Sequence, residues 1–199
     1  MDRVDELARA FERFPGIGPR QAKRFVYHLL ATNVNDRSRL ADLIARIGES
    51  VKQCPECRRF WSGTGERCNY CSDAARDDST LMVLEKDQDL AAIERTSAYH
   101  GRYFVLGGVL TLSGKGAIRE KELIERVERA SLGGLTEIIL ALSATSEGEH
   151  TAEYLRERLS PLREQMKLTV LGRGLSTGSE LEYADSPTLS SALQNRKET

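Results

Sequence analysis

The residues best suited to chemistry in this chain are its four cysteines. Cys54-Pro-Glu-Cys57 and Cys68-Asn-Tyr-Cys71 are two C-x2-C pairs separated by ten residues. Each pair can place two thiolates on one side of a tight turn. The loop between lets the pairs meet as a tetrahedron around zinc. No fifth ligand accompanies them, so the spacing predicts one closed, structural zinc site per chain. The 26 residues from 54 to 79 hold little core of their own and need such a staple. Two disulfides are the rival chemistry, disfavoured in a reducing compartment. A redox C-x-x-C fits a matched double pair less well.

A second constellation is the stretch FPGIGPRQAKRF, residues 14–25. Gly16 and Gly18 let an anion approach the backbone. Pro19 suits the first turn of a helix whose free N–H groups and positive dipole end attract phosphate. Arg20 and Arg24 stand four apart with Lys23 beside them, able to hold neighbouring phosphates. Such contacts read no base, so the binding expected is sequence-independent and salt-sensitive. The plainer reading is a helical corner with a solvated basic face. An apolar helix, P-G-I-G-P and then R-x-x-x-R together resemble a helix-hairpin-helix DNA-binding motif.

A third set is acidic. Glu85 ends an apolar run, and Glu147 and Glu149 lie just beyond another. Carboxylates converging from two strand ends could share a Mg²⁺, which takes oxygen ligands and keeps several waters. The arrangement resembles a Toprim domain, although the pair here is E-x-E rather than D-x-D. Alternatively, Glu147 and Glu149 simply favour a helix N-terminus and bind nothing. SGKG at 113–116 lacks the spacing and the Ser/Thr of a phosphate-binding loop. His28, His100 and His150 have no matching nucleophile, and none of the six tyrosines sits in a recognisable cleavage context.

The elements that must carry these residues follow from periodicity. Val4, Leu7, Ala8, Phe11 and Phe14 recur at helical spacing. A second helix after Pro19 is expected to bury Ala22, Phe25, Val26, Leu29 and Leu30. A third carries Leu40, Leu43, Ile44, Ile47 and Val51 in register. From Leu81 onward strands and helices alternate. LMVLE, RYFVLGG, EIILALS and KLTVLGRG read as strands, and DQDLAAIERT, IREKELIERVERASL and TAEYLRERLSPL as helices. That order predicts a mostly parallel sheet covered by helices, with ligands gathering beyond the strand C-termini.

Length allows one large domain or two to three small ones. The chain has 199 residues, 40% of them hydrophobic and 30% charged. Its first 14 residues are charged and helical, unlike a signal peptide or membrane anchor. A cytoplasmic address and reduced cysteines are therefore expected. Residues 1–60 hold 12 Lys/Arg against 8 Asp/Glu, a net of +4, and the remainder 17 against 22, a net of −5. A basic head on an acidic body suits a polyanion at the N-terminal part.

Taken together, the order of these features is similar to that of the bacterial RecR family of recombination mediators. FPGIGPRQAKRFVYHLL, the cysteine cluster with CSDAARD, ERTSAYHGRYFVLGGVL, TSEGEHTAEYL and GLSTGSELEYADSPTLSSAL carry the resemblance over nearly the full length. It implies an α/β multidomain chain. Residues 1–53 would form a helix-hairpin-helix DNA-binding domain, 54–79 a four-cysteine zinc finger, 80–172 a Toprim domain and 173–199 a C-terminal segment for subunit contacts. It further implies a protein that is not an enzyme and forms a homo-oligomer, a dimer or tetramer ring clamping DNA. Such proteins work with RecO and RecF to help load RecA onto single-stranded DNA covered by single-strand-binding protein.

On that resemblance DNA contacts fall on Arg20 and Arg24, beside Gly16, Gly18 and Lys23 from the hairpin's own chemistry, and zinc ligands on Cys54, Cys57, Cys68 and Cys71. Glu85, Glu147 and Glu149 would form a Mg²⁺ or partner-binding surface. A nucleoid-associated cytoplasmic protein without membrane contact is implied. The competing class is a Mg²⁺-dependent Toprim enzyme that nicks or passes DNA strands, and a third is a protein-binding adaptor. The chain departs from the family pattern in TLSGKGAIRE after GGVL, at Ser143-Ala144 and at Ser176, which bears on the loops around the acids.

Overall fold

The computed structural model describes residues 2–162 and 166–196. The chain divides into two compact units, Met1–Lys52 and Gln53–Thr199.

The first unit is helical. α1 (Arg3–Glu12) starts where the Asp2 side chain accepts from the Val4 N–H, and α2 (Pro19–Ala31) starts on Pro19. Between them the Phe14 and Ile17 N–H groups turn back onto the carbonyls of Phe11 and Phe14. Gly16 sits in this bend at φ +77°, a conformation that carries a steric cost for any other residue. Ala8, Ala22 and Val26 are buried between the two helices, flanked by Val4, Phe11 and Ile17. The Phe11 ring meets Phe25 edge-on at 5.7 Å. Small side chains at the centre let the backbones approach closely, so the pair is tight although its core is small.

α3 (Val34–Ser50) is capped by Asn33, whose side chain accepts from the Asp36 N–H at 2.9 Å. The Arg37 guanidinium donates to the Leu29 and Thr32 carbonyls, satisfying the open C-terminal end of α2. Two sequence expectations fail here. Leu30 is exposed rather than buried with its neighbours, and Val51 is a strand residue, the helix having ended at Ser50. The α3 stripe is real in spacing but uncovered: Leu43, Ile44 and Ile47 are each more than 60% exposed in the single chain.

The second unit holds the cysteine module and the sheet. β1 (Val51–Gln53) pairs with β2 (Phe60–Ser62), and the short α4 (Asn69–Ser72) follows. β3 (Asp77–Leu84), β4 (Gly101–Val105), β5 (Glu137–Ala141) and β6 (Lys167–Val170) form one parallel sheet in the order β4-β3-β5-β6. Parallel pairing requires crossovers, supplied by α5 (Asp87–Glu94), α6 (Glu120–Leu132) and α7 (Ser146–Arg158).

Strand side chains alternate between two cores, as the two-residue period dictates. Leu81, Val83, Phe104, Ile138 and Leu140 point to one face, covered by Leu123 and Val127 of α6 and Leu155 of α7. Met82, Leu84, Tyr103 and Val105 point to the other, beneath Leu90 of α5 and Tyr70 of the cysteine module. That module is therefore part of the sheet's second covering layer. β3 begins earlier than its apolar run, at Asp77, because the polar half of the strand still pairs before a register shift near Leu81. The C-terminal stretch contains a further helix, α8 (Ser186–Gln194).

Candidate nucleic-acid interface and metal centre

The bend before α2 leaves backbone donors open. Gly18 is the N-cap residue and offers no side-chain cap, while its carbonyl accepts the Ala22 N–H at 2.9 Å. Among the described residues the N–H groups of Gly18, Arg20 and Gln21 have no partner within the chain. A Cβ added at Gly18 would meet nothing within 4 Å. Gly16 is thus required by its own backbone, whereas nothing inside the molecule demands glycine at 18. Arg20, Lys23 and Arg24 are all exposed. Lys23 lies 3.4 Å from Asp5 of α1, while among the described residues no ion pair engages Arg20 or Arg24. The local field is a helix N-terminus with two free guanidiniums, the surface that attracts phosphate.

The four cysteines do converge. Their sulfurs all lie within 4.8 Å of one another, with Cys57 and Cys68 3.5 Å apart, and no disulfide joins them. Local folding explains the meeting. The Arg58 N–H returns to the Cys54 carbonyl and the Cys54 N–H to that of Arg59, which closes a tight knuckle. Arg58 adopts φ +60° to make this turn. The second pair lies on the first turn of α4, where the Cys71 and Ser72 N–H groups both bond the Cys68 carbonyl. The Cys68 N–H donates to the Cys54 sulfur at 3.5 Å, a contact that stabilises a thiolate.

Crowding makes the four thiols ionise unequally. Hydrogen bonds from Cys57, Cys68 and Cys71 hold the Cys54 thiol far below the ordinary cysteine value. Cys57 is pushed far above it by its contacts with Cys54 and Cys68. Four thiolates cannot coexist there without a cation, so this donor set fits a tetrahedrally bound metal ion. Among the described residues, it is the one group of His, Cys, Asp or Glu gathered this closely.

The cysteine module is tied to the sheet. The Val105 N–H at the end of β4 donates to the Cys57 carbonyl at 2.8 Å. Glu56 reaches Arg126 and Arg129 of α6, each at 3.3 Å. Arg59 and Arg76 both lie over the Tyr70 ring, and Arg76 also pairs with Glu94 at 2.6 Å. Phe60 and Arg102 add hydrogen bonds to Asp87 and to the Tyr70 carbonyl.

The acids lie at the end of the sheet where ligands of open α/β sheets bind. The chain runs from β3 outward to β4 and then returns to the far side of β3 with β5, so the strand order reverses between β3 and β5. Glu85 follows β3 directly and is 4% exposed. Its two oxygens are both engaged, one by the Lys86 ammonium at 2.6 Å and the other by the Ser143 hydroxyl at 2.5 Å. Burial alone would raise the Glu85 pKa, but the hydrogen bonds from Lys86 and Ser143 outweigh it and hold the carboxyl below its usual value.

Glu147 and Glu149 are exposed in the first turn of α7, capped by the Thr145 side chain. Glu149 pairs with Arg173 beyond β6. The glycine between them is set by close packing, since a Cβ at Gly148 would fall 2.0 Å from the Ser143 carbonyl oxygen. Thr151, fully buried, accepts from the Leu110 N–H and donates to the Glu147 carbonyl, which ties the loop after β4 to α7. Lys86 and Arg173 escaped sequence reasoning. Lys86 was adjacent to Glu85 in plain view, but Arg173 is 24 residues from its partner.

Comparison with known proteins bears on the whole chain. Residues 4–47 match the family model described as RecR, helix-hairpin-helix, residues 79–172 that of the Toprim domain, and residues 174–197 that of RecR, C-terminal. The Recombination protein RecR of Frankia casuarinae is 41% identical over 196 residues, 98% of this chain and 94% of its own length. That of Thermobifida fusca is 41% identical over 197 residues with the same coverage of each chain. The Mycobacterium leprae protein, at 41% over 200 residues, also covers 98% of this chain and 94% of its own. A hairpin with open helix donors, four gathered cysteines and a parallel Toprim sheet thus occur in a chain that belongs to the RecR family.

Proposed function

We propose that this protein is a recombination mediator in DNA repair that grips DNA without reading sequence and is not itself an enzyme. The observation that carries this reading is the start of α2. Among the described residues, three backbone donors and the Arg20 and Arg24 side chains are left without partners on one exposed corner. Gly16, Gly18 and Lys23 complete the surface. The relatives at 41% identity are named as recombination proteins, which supports the same role here.

One corner supplies only two or three phosphate contacts, which is weak at physiological salt. Several corners on a closed homo-oligomer would add through effective concentration. The uncovered α3 stripe and the exposed Leu181 and Tyr183 of the C-terminal segment support subunit contacts in a dimer or tetramer ring. The metal of the four-cysteine site is zinc, held structurally, one per chain. In the family's scheme the partners are RecO and RecF, with the clamp helping RecA replace single-strand-binding protein at the nucleoid in the cytoplasm. No described helix is long and apolar enough to cross a membrane.

A salt titration of DNA binding tests the assignment. Replacing Arg20 and Arg24 with Ala should weaken binding to every sequence and flatten the salt dependence by about 1 per lost contact. An unchanged titration would defeat it. Cleavage or relaxation of supercoiled DNA with Mg²⁺, lost in Glu85→Ala, would point instead to the enzyme.

A further inference from the structure

A Toprim sheet leads one to expect a Mg²⁺ on its acidic edge, yet the residues here do not fit one. Mg²⁺ needs near-octahedral oxygen ligands and at least one carboxylate free to face it. Glu85 has neither oxygen free: Lys86 holds one and Ser143 the other. Glu149 is drawn toward Arg173. Among the described residues, no three acids bring their oxygens within 4.8 Å of one another.

We infer that Lys86 and Arg173 are built-in cations that take the place of a divalent metal on this edge, so that Glu85 and Glu149 are neutralised by the chain itself. The placement of Lys86 is not accidental to its own flexibility. Its N–H is pinned by the Asp89 carboxylate at 2.8 Å at the start of α5, which fixes where the side chain begins. From there the ammonium lies on one oxygen of Glu85, while Ser143 holds the other. A metal approaching Glu85 would face an ammonium already in contact with the same carboxylate, and like charges at that range repel. Arg173 acts likewise on Glu149, from beyond β6. The inference is independent of the DNA-binding reading of the α2 corner.

Uptake of Mn²⁺, used alone as the probe and followed by its electron paramagnetic resonance signal, tests this on the full-length protein with its cysteine site loaded. The wild type should take up no Mn²⁺ up to about 1 mM, the weak end of protein sites for hard divalent cations, and should match Glu85→Gln. The double variant Lys86→Met/Arg173→Met should gain a site that Glu85→Gln removes again. Lys86→Arg, which keeps the cation, should behave as wild type. Uptake by the wild type that Glu85→Gln abolishes would overturn the inference, as would a double variant that gains nothing.

Discussion

The α2 corner and the cysteine module solve opposite problems with equally few residues. In the module the cysteines are spent internally: sulfurs face sulfurs, Cys68 donates to Cys54, and the knuckle carbonyl of Cys57 receives the end of β4. At the corner the chain withholds partners, leaving donors at Gly18, Arg20 and Gln21 and two free guanidiniums in solvent. A group satisfied within the chain serves the fold, whereas a donor left open at a helix N-terminus stays available to water or to an anion. The acidic edge resembles the corner in its charges but falls mostly with the module, because Glu85 and Glu149 already have protein partners.

The largest effect should come from the module. Cys54→Ser should lower bound metal and destabilise the Gln53–Thr199 unit by about 4 kcal/mol or more, the range expected when a structural metal is lost. Metal analysis and denaturant unfolding check it, and full occupancy with unchanged stability would remove the contrast. Next, Arg20→Ala with Arg24→Ala should reduce the slope of log affinity against log salt by about 2 while leaving thermal unfolding unchanged. A folding defect in that variant would mean that the corner, too, is spent internally.

The two glycines divide the corner itself. Gly16→Ala should cost about 1–2 kcal/mol of folding stability, because its φ of +77° is unfavourable for a side chain. Gly18→Ala, in open space, should cost only about 0.5 kcal/mol in folding and yet weaken DNA binding. Equal stability losses would erase the distinction between a glycine kept for the chain and one kept for its ligand.

The smallest effect concerns pH. Glu85 has a folded pKa below its ordinary value, so its contribution is present above about pH 4.5 and is lost as pH falls through the folded pKa. Lys86→Met would raise that folded pKa and move the acid-unfolding midpoint to higher pH. At neutral pH it should cost less than about 1 kcal/mol, since Lys86 is 59% exposed. Acid titration followed by circular dichroism reads both, and an unmoved acid limb would detach Lys86 from Glu85.

Features governed by local chemistry were legible in the sequence. The bend, the pairing of the cysteines and the four strands each announce themselves through spacing within a few residues. What stayed hidden depends on partners far along the chain or on no partner at all. The α3 stripe has the period of a buried face, and periodicity cannot say that Leu43, Ile44 and Ile47 remain open in the single chain. α8 went unread, although Asp185 followed by Ser-Pro-Thr is a legible helix start, with Asp185 accepting from the Thr188 N–H. The neutralisation of Glu85 and Glu149 needed the sheet end assembled before Ser143 and Arg173 could be seen to reach them.

Trp61 is the only tryptophan in the chain; its ring packs against the cysteine cluster and also lies over Gly63, where a Cβ would fall 2.3 Å from it. The protein therefore carries one tryptophan probe, placed at its four-cysteine cluster. Tryptophan-selective fluorescence should follow the surroundings of the cysteine cluster, while six tyrosines along the chain report on the remainder. Metal loss and global unfolding, inseparable in most small metalloproteins, can here be followed as two colours of one sample.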